Sequence, residues 1–440
     1  MKKIIGAAID SCVQNTRHDH LLKFAEEDII HTLTGRINQK YPYPILRHHF
    51  SGTTMQDAIE GIRELALSKV LDVISVGPDL NAQEHFFKPN EMTFSHSSAG
   101  GIPIRKREDM KELYDASQCG NFPLMHCYTG TQDLLKWSEM SVHTLHNAWG
   151  VIPLCWNSVL NGISNRTLEE AIDENQRVMK WYARHNIPVE VNESQHWSLY
   201  DAHDALTVAM DYLAAYNAKK MGVKEYVVQF IFNTPTNTKP KMDLAKMEAK
   251  LELIHELEDE SFKVFREIQI GIFNFPSLHS VSKLKHAPSF LIGLAMKPHI
   301  LHVVSYTEGG RIPSPLEVIE NCKDIHKILK NYHSEDLEMT SDMNILIRKG
   351  QLVYEARMLL EGFKFLGADT DDPLIDPWVI ANAIHEGILD VPDFKGNPDL
   401  RGDIHTELIN GARDAIDPST GDLLEEETRL LKIFDRIKQS

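Results

Sequence analysis

The chain is short of several things, and each shortage removes a class of function. Basic charge is one of them: 46 Lys and Arg stand against 63 Asp and Glu, a net charge of −17. Such a surface repels a phosphate backbone, so nucleic acid is not an expected partner. The short basic run Arg105-Lys106-Arg107 reads as a solvated helix start. Cysteine is scarce as well. The five, Cys12, Cys119, Cys127, Cys155 and Cys322, are odd in number and form no C-x-x-C pair. That argues against a disulfide scaffold and for a reducing, cytoplasmic setting. No apolar run approaches bilayer length, and the run that opens the chain is broken by Asp10, so it reads as a buried strand and not as a signal peptide or membrane span. Phosphate loops, G-x-S-x-G elbows and H-E-x-x-H helices are missing too.

What is present is an alternation of short apolar runs and amphipathic stretches. Strand candidates are Ile4–Ile9, Pro44–His49, Val70–Val76, Pro123–Tyr128, Val151–Trp156, Pro188–Asn192, Tyr226–Phe232, Ile268–Phe273 and Ile300–Tyr306. Between them, Thr167-Leu168-Glu169-Glu170 is a capping box, in which hydroxyl and carboxylate satisfy each other's backbone N–H groups. A helix opens near Asp204 and closes at Gly222, and another runs from about Met242 to Leu257. Strand–helix–strand units of this length pair in parallel with right-handed crossovers. The expected fold is α/β, a (β/α)8 TIM barrel with an N-terminal extension and a helical C-terminal extension. Nine candidates exceed the eight places of a barrel, so one is external or misplaced. Residues 1–335 form the barrel domain with its N-terminal extension. Beyond them the strand signal stops, and residues 336–440 read as a mostly helical extension packed on the barrel. Periodicity alone also allows an open doubly wound sheet.

In a barrel, function gathers where strands end on the carboxyl side. His126 and Tyr128 end one strand, and Asn157 follows the next. The densest polar cluster is Asn192-Glu193-Ser194-Gln195-His196, and Gln229 and Asn233 lie at a further strand end. Such a lining suits a polar small molecule. Glu193 follows a buried strand between polar neighbours and is the candidate base, or the partner of a substrate ammonium. Strand-end Asn and Ser also cap helices. The 22 histidines raise a metal reading through His18-x-His20, His126, His196 and His302. The first pair falls well after the first strand, so no metal site is expected.

From Pro123 to Leu257 the order of these features resembles the large, barrel-forming component of adenosylcobalamin-dependent glutamate mutase (methylaspartate mutase). The features are Thr129-Gly130 with Asp133-Leu134-Leu135, the strand into Thr167-Leu168-Glu169-Glu170, the strand into Asn192-Glu193, and the helix Ala205–Met221 with Gly222-Val223-Lys224. The likeness continues through Tyr306-Thr307-Glu308 and Gly387-Ile388-Leu389-Asp390-Val391-Pro392, about three-quarters of the chain. The resemblance implies an amino-acid-like substrate rearranged by a radical that adenosylcobalamin generates. It places Glu193 against the substrate's amino group, with His126 and Tyr128 as catalytic neighbours. Asn157, Asn192, His196, Gln229 and Asn233 hold substrate, and Asp79, Gln83, Tyr306 and Glu308 face the cofactor.

The family's D-x-H-x-x-G signature is broken here, since Leu408 replaces its Gly after Asp403 and His405. A separate small cobalamin-binding protein must therefore bring the cofactor, and a homodimer is expected. The family's substrate-binding arginines are absent from Asp79–Glu84 and from Met125–Cys127, and Pro315 stands where a lysine is expected. Glutamate is therefore a doubtful substrate. The competing readings are a metal-dependent or cofactor-free barrel lyase or hydrolase, and a barrel that binds a ligand without mutase activity.

Overall fold

A computed structural model describes residues 31–93, 101–128, 130–162, 164–270, 290–305, 311–331 and 338–439. The strand candidate Ile4–Ile9, the histidines at 18 and 20, Tyr306 and Glu308 lie outside the described residues.

The other eight strand candidates are the barrel. They are β1 (Ile45–Phe50), β2 (Val73–Val76), β3 (Leu124–Cys127), β4 (Gly150–Ile152), β5 (Val189–Val191), β6 (Glu225–Phe232), β7 (Lys263–Ile270) and β8 (Ile300–Val303). Every ladder between them is parallel, and the order is β3-β2-β1-β8-β7-β6-β5-β4. An open doubly wound sheet does not pair its first strand with its last, so the β1–β8 ladder makes this a (β/α)8 barrel. The one junction without a ladder, β3 to β4, is closed by an amide. Asn147 Oδ1 accepts from Cys127 N at 2.9 Å, Asn147 Nδ2 donates to Cys127 O at 3.2 Å, and Ala148 N donates to Met125 O.

β7 begins five residues before the expected Ile268, because the charges of Lys263, Arg266 and Glu267 hide a strand from a search for apolar runs.

Strand alternation sorts side chains to two faces. Outward residues such as Ile74, Met125, Ile152, Val228 and Ile268 join the core beneath the surrounding helices. Inward residues Ile45, Val73, Leu124, Trp149, Val151, Val227, Phe265 and Ile300 form a second apolar cluster inside the barrel. Helix α1 (Leu33–Lys40) closes that cluster at the amino end with Leu33 and Ile37, one turn apart on one face. Thr32 caps the helix by accepting from Gly35 N.

The outer helices include α2 (Met55–Ser68), α3 (Leu80–His85), α4 (Arg107–Ser117), α5 (Leu134–Thr144), α6 (Leu168–Arg184), α7 (Ser194–Leu199), α8 (Asp204–Lys220), α9 (Pro240–His255) and α10 (Pro315–Asn331). Both halves of the Thr167–Glu170 capping box are made, and Gly222 follows α8 at φ 90°. The C-terminal part carries α11 (Met343–Leu366), α12 (Pro377–His385) and α13 (Glu426–Gln439). It is not wholly helical. An antiparallel hairpin, β9 (His405–Ile409) and β10 (Ala412–Ile416), turns through Asn410-Gly411, both at positive φ, the dipeptide that a tight hairpin turn favours. Among the described residues no helix is long and apolar enough to cross a membrane.

Candidate functional site

Above the apolar plug, the next inward layer of the barrel is charged. Seven of the eight strands contribute: Arg47 from β1, Ser75 from β2, His126 from β3, Glu190 from β5, Gln229 from β6, Glu267 from β7 and His302 from β8. All are buried. Arg47 is the hub, and every nitrogen of its guanidinium is engaged. Nε donates to Ser75 Oγ at 2.7 Å. Nη1 donates to Glu267 Oε1 and Oε2 at 2.6 and 2.8 Å, with Glu190 Oε2 at 3.4 Å. Nη2 donates to the Tyr128 hydroxyl at 3.0 Å and lies 3.3 Å from His126 Nδ1. Its Cζ stands 5.2 Å from the Trp149 ring centroid, a cation–π distance.

These contacts fix the proton inventory. Arg47 only donates, so His126 Nδ1 is an acceptor and its proton sits on Nε2. Ser75 Oγ accepts from Arg47 and donates to that same Nδ1 at 2.8 Å. Burial, with the Arg47 charge adding to it, holds His126 well below the usual histidine range, which keeps it neutral. Glu190 and Glu267 split in opposite directions. Burial is the largest influence on both and raises both. For Glu267 the Arg47 charge and the His302 contact outweigh it, so that carboxylate stays ionised, held well below its ordinary value. Glu190, facing the Glu267 charge, is pushed up to about 7. Two carboxyls in one buried site with values driven apart are how acid and base roles separate. Four buried atoms of the layer have no hydrogen-bond partner: His126 Nε2, Glu190 Oε1, Gln229 Oε1 and His302 Nδ1, the last lying 3.4 Å from Glu267 Oε1.

Three of the expected site residues join this layer or its rim, and His302, named in the metal reading, belongs to it as well. His126 and Gln229 belong to it, the latter donating to Glu267 Oε1 at 2.9 Å. Tyr128 is the next inward residue of its strand, tilted against His49 with ring centroids 5.7 Å apart.

Glu193 sits elsewhere. Its Oε2 accepts from Leu154 N at 2.7 Å and Cys155 N at 3.2 Å, and its Oε1 accepts from Trp197 Nε1 at 2.8 Å. The side chain is buried, tying the loop after β4 to α7. His196 donates through Nδ1 to Asn192 O at 2.7 Å and stacks on Trp156. Asn157 and Asn233 take left-handed backbone at φ 63° and 57°, which Asn tolerates in turns. Asn157 O receives Arg166 Nη2, and Asn233 Oδ1 receives Asn237 N.

The two described residues assigned to a cofactor, Asp79 and Gln83, turn inward on their own loop. Asp79 caps α3 through Ala82 N and pairs with Arg105, and Gln83 Nε2 donates to Pro78 O at 2.7 Å.

Arg47, Ser75, Glu190 and Glu267 were not singled out from sequence. A signal existed: Glu190 stands alone between valines in Pro-Val-Glu-Val, and Arg47 interrupts Pro-Ile-Leu-Arg-His-His-Phe. A lone charge inside a strand buried on both faces is out of place unless the barrel interior receives it. Among the described residues no group of three or more His, Cys, Asp and Glu side chains is arranged to hold a metal ion.

No family model matches the chain, and no curated protein matches it. Among solved structures it is similar to a truncated form of 3-deoxy-D-arabino-heptulosonate 7-phosphate synthase from Thermotoga maritima. The match is at 11% identity and TM-score 0.36, over 66% of this chain and 88% of that one. The assignment of the fold rests on the strand order and the β1–β8 ladder, and the fold alone is what the chain is shown to have.

Proposed function

We propose that this chain is a catalytic barrel that takes a small, amino-acid-like molecule at the carboxyl ends of its strands, above the Arg47 layer. One observation carries the reading: seven strands send polar or charged side chains to one buried layer and leave four polar atoms there without a hydrogen-bond partner. A barrel selected for stability alone fills that layer with branched apolar side chains. A buried polar atom without a partner costs free energy, about 1–3 kcal/mol each, and functional sites are where such costs are retained.

The roles follow from the contacts. Glu267 locks Arg47, so the arginine positions its neighbours and leaves ligand contact to them. The Tyr128 hydroxyl accepts from Arg47 and keeps its own proton to donate. Glu190, near neutrality, exchanges a proton at Oε1. Gln229 Oε1 offers an acceptor for an ammonium or amide N–H, and His126 Nε2 offers a donor. This is an acid–base set, the cofactor-free alternative among the sequence readings.

The radical-mutase reading rests on the family resemblance alone. Asp79 is engaged by Ala82 N and Arg105, and Gln83 Nε2 by Pro78 O, so these side chains do not fit a corrin as contacts. No step here runs through adenosylcobalamin.

The test is ligand-induced stabilisation of the full chain across the amino acids and their simple derivatives, read by thermal unfolding, with Gln229→Leu and Tyr128→Phe beside wild type. A ligand class that stabilises wild type and loses at least tenfold in affinity in either variant supports the reading. If no such compound stabilises wild type, or if both variants bind as wild type does, the reading fails. Adding adenosylcobalamin and a small cobalamin-binding protein to the ligand-bound chain separates the two chemistries. A substrate-dependent cobalt(II) signal in electron paramagnetic resonance assigns the mutase, and solvent deuterium entering the ligand without cobalamin assigns the acid–base reaction.

A further inference from the structure

At the opposite, amino-terminal end of the barrel lies a cavity of about 670 Å3, a size that suits small-molecule sites. In a chain of net charge −17 its lining is reversed in sign: Arg36, Lys40 and Lys69 stand against the single carboxylate of Asp72. Arg36 and Lys40 occupy one face of α1, a turn apart, beside the Leu33–Ile37 stripe that plugs the barrel. Both reach the same oxygen: Lys40 Nζ is 3.0 Å and Arg36 Nη1 is 3.7 Å from Asp72 Oδ1. The other oxygen, Oδ2, accepts from Leu46 N at the start of β1, so the carboxylate is shared between backbone and two cations.

Arg36 is itself short of a partner. It is 97% buried, its relative exposure being 3%. Nη2 donates to Phe122 O at 2.8 Å and Nη1 to Asn121 O at 3.4 Å, yet Nε is buried with no partner. The cavity wall therefore holds a buried guanidinium whose donors are not all satisfied. Burial lowers the Arg36 pKa despite Asp72, which is what an under-compensated buried cation does. Phe122 holds its ring half-exposed at the cavity from a backbone φ of 51°, a conformation rare for a bulky residue and found where surroundings impose it.

We infer that this amino-end cavity is a second ligand site, for a small phosphorylated molecule, with the phosphate on Lys40 and Lys69 beside the buried Arg36 charge and its organic part against Phe122. A phosphate dianion balances three cations and one carboxylate, and its several oxygens can take divergent donors together. The site is separate from the carboxyl-end chemistry. Ligand there bridges α1, the end of α2, and the residues that lead into β2 and β3, so binding is expected to tighten the barrel floor.

The test titrates the full chain calorimetrically at fixed ionic strength with inorganic phosphate, pyrophosphate and 4-nitrophenyl phosphate. Lys40→Gln/Lys69→Gln and Phe122→Ala are compared with wild type, and circular dichroism checks that both remain folded. The expected result is saturable one-to-one binding, weakened at least tenfold by the double lysine variant. Phe122→Ala should weaken 4-nitrophenyl phosphate several-fold and leave inorganic phosphate unchanged. Absence of saturable binding overturns the inference, as does binding indifferent to the lysines. Binding lost in Tyr128→Phe would place the anion at the other end of the barrel and equally overturn it.

Discussion

Arg47 Nη1 lies 2.6 Å from Glu267 Oε1, and neither side chain has any exposed surface. The pair joins β1 to β7 across β8, inside a space that would otherwise hold aliphatic side chains. Its attraction is offset by the desolvation of both ions, so the pair is weak evidence for stability by itself. Removing one member is another matter, because the survivor becomes an uncompensated buried charge.

Arg47→Met is therefore expected to cost about 3–5 kcal/mol, and Glu267→Gln a comparable amount. The double variant should lose less than the sum, since neither buried ion is then left alone. Urea unfolding of the four proteins measures the coupling, and strict additivity would show that the contact has no energetic content.

Glu190 gives a pH signature. Its folded value is raised to about 7 from an ordinary 4.5, so the folded state binds this proton more tightly than the unfolded chain does. The stabilisation from that proton is full below about pH 4.5 and fades as pH rises towards 7. Glu267 works the other way: its value is depressed, so its contribution is present above pH 4.5 and lost in acid. Glu190→Gln mimics the protonated form at every pH. Between pH 5 and 7.5 the wild type should lose stability relative to this variant, read as the difference in urea midpoints at each pH. Parallel profiles would show that Glu190 ionises normally in the folded protein.

Glu193 separates a structural role from a ligand role. Its two oxygens accept three N–H groups, from Leu154, Cys155 and Trp197. Glutamine supplies one acceptor oxygen and sets its own N–H groups against one side of that donor set. Glu193→Gln should cost about 1–3 kcal/mol and loosen the loop after β4, with a change in Trp197 fluorescence. A substrate-ammonium contact instead predicts weakened ligand binding with stability and fluorescence unchanged.

The frame of the molecule was open to reading because it is written in apolar runs and caps. Eight strand candidates, the Thr167–Glu170 box and the Gly222 stop depend on neighbours a few residues apart, and local chemistry decides them. The Arg47 layer is a different kind of feature. Arg47 and Glu267 are 220 positions apart, and only barrel closure brings them together. Searching strand ends for polar residues found His126, Tyr128 and Gln229, but it passed over charges in mid-strand. It also gave weight to Glu193, whose polar neighbours in sequence are not its partners in space: the carboxylate turns to the β4 loop and away from the bore. The β9–β10 hairpin was missed although its Asn410-Gly411 turn is a strong local signal, because His405–Ile409 is mostly exposed and carries no apolar stripe.

Gly150 offers a prediction about how the barrel wall meets its helices. It opens β4, the short strand beside the junction closed by Asn147. A Cβ built on it would come within 2.4 Å of the Tyr182 ring, which is fully buried on α6. The glycine is therefore a space requirement: α6 lies against β4 through that ring, and Tyr182 cannot swing into solvent. Gly150→Ala should cost about 1–3 kcal/mol by overpacking, with the strain directed at the least-laddered part of the barrel. Tyr182→Leu removes the clashing ring atoms and leaves a cavity, costing stability by itself. Combined with Gly150→Ala, the added methyl enters the space vacated by the ring, and the double variant should be more stable than the two single losses added together. Thermal and urea unfolding of the four proteins decide it. Equal additivity would mean that α6 shifts bodily to admit the methyl, and that the ring is not what fixes the distance between helix and strand.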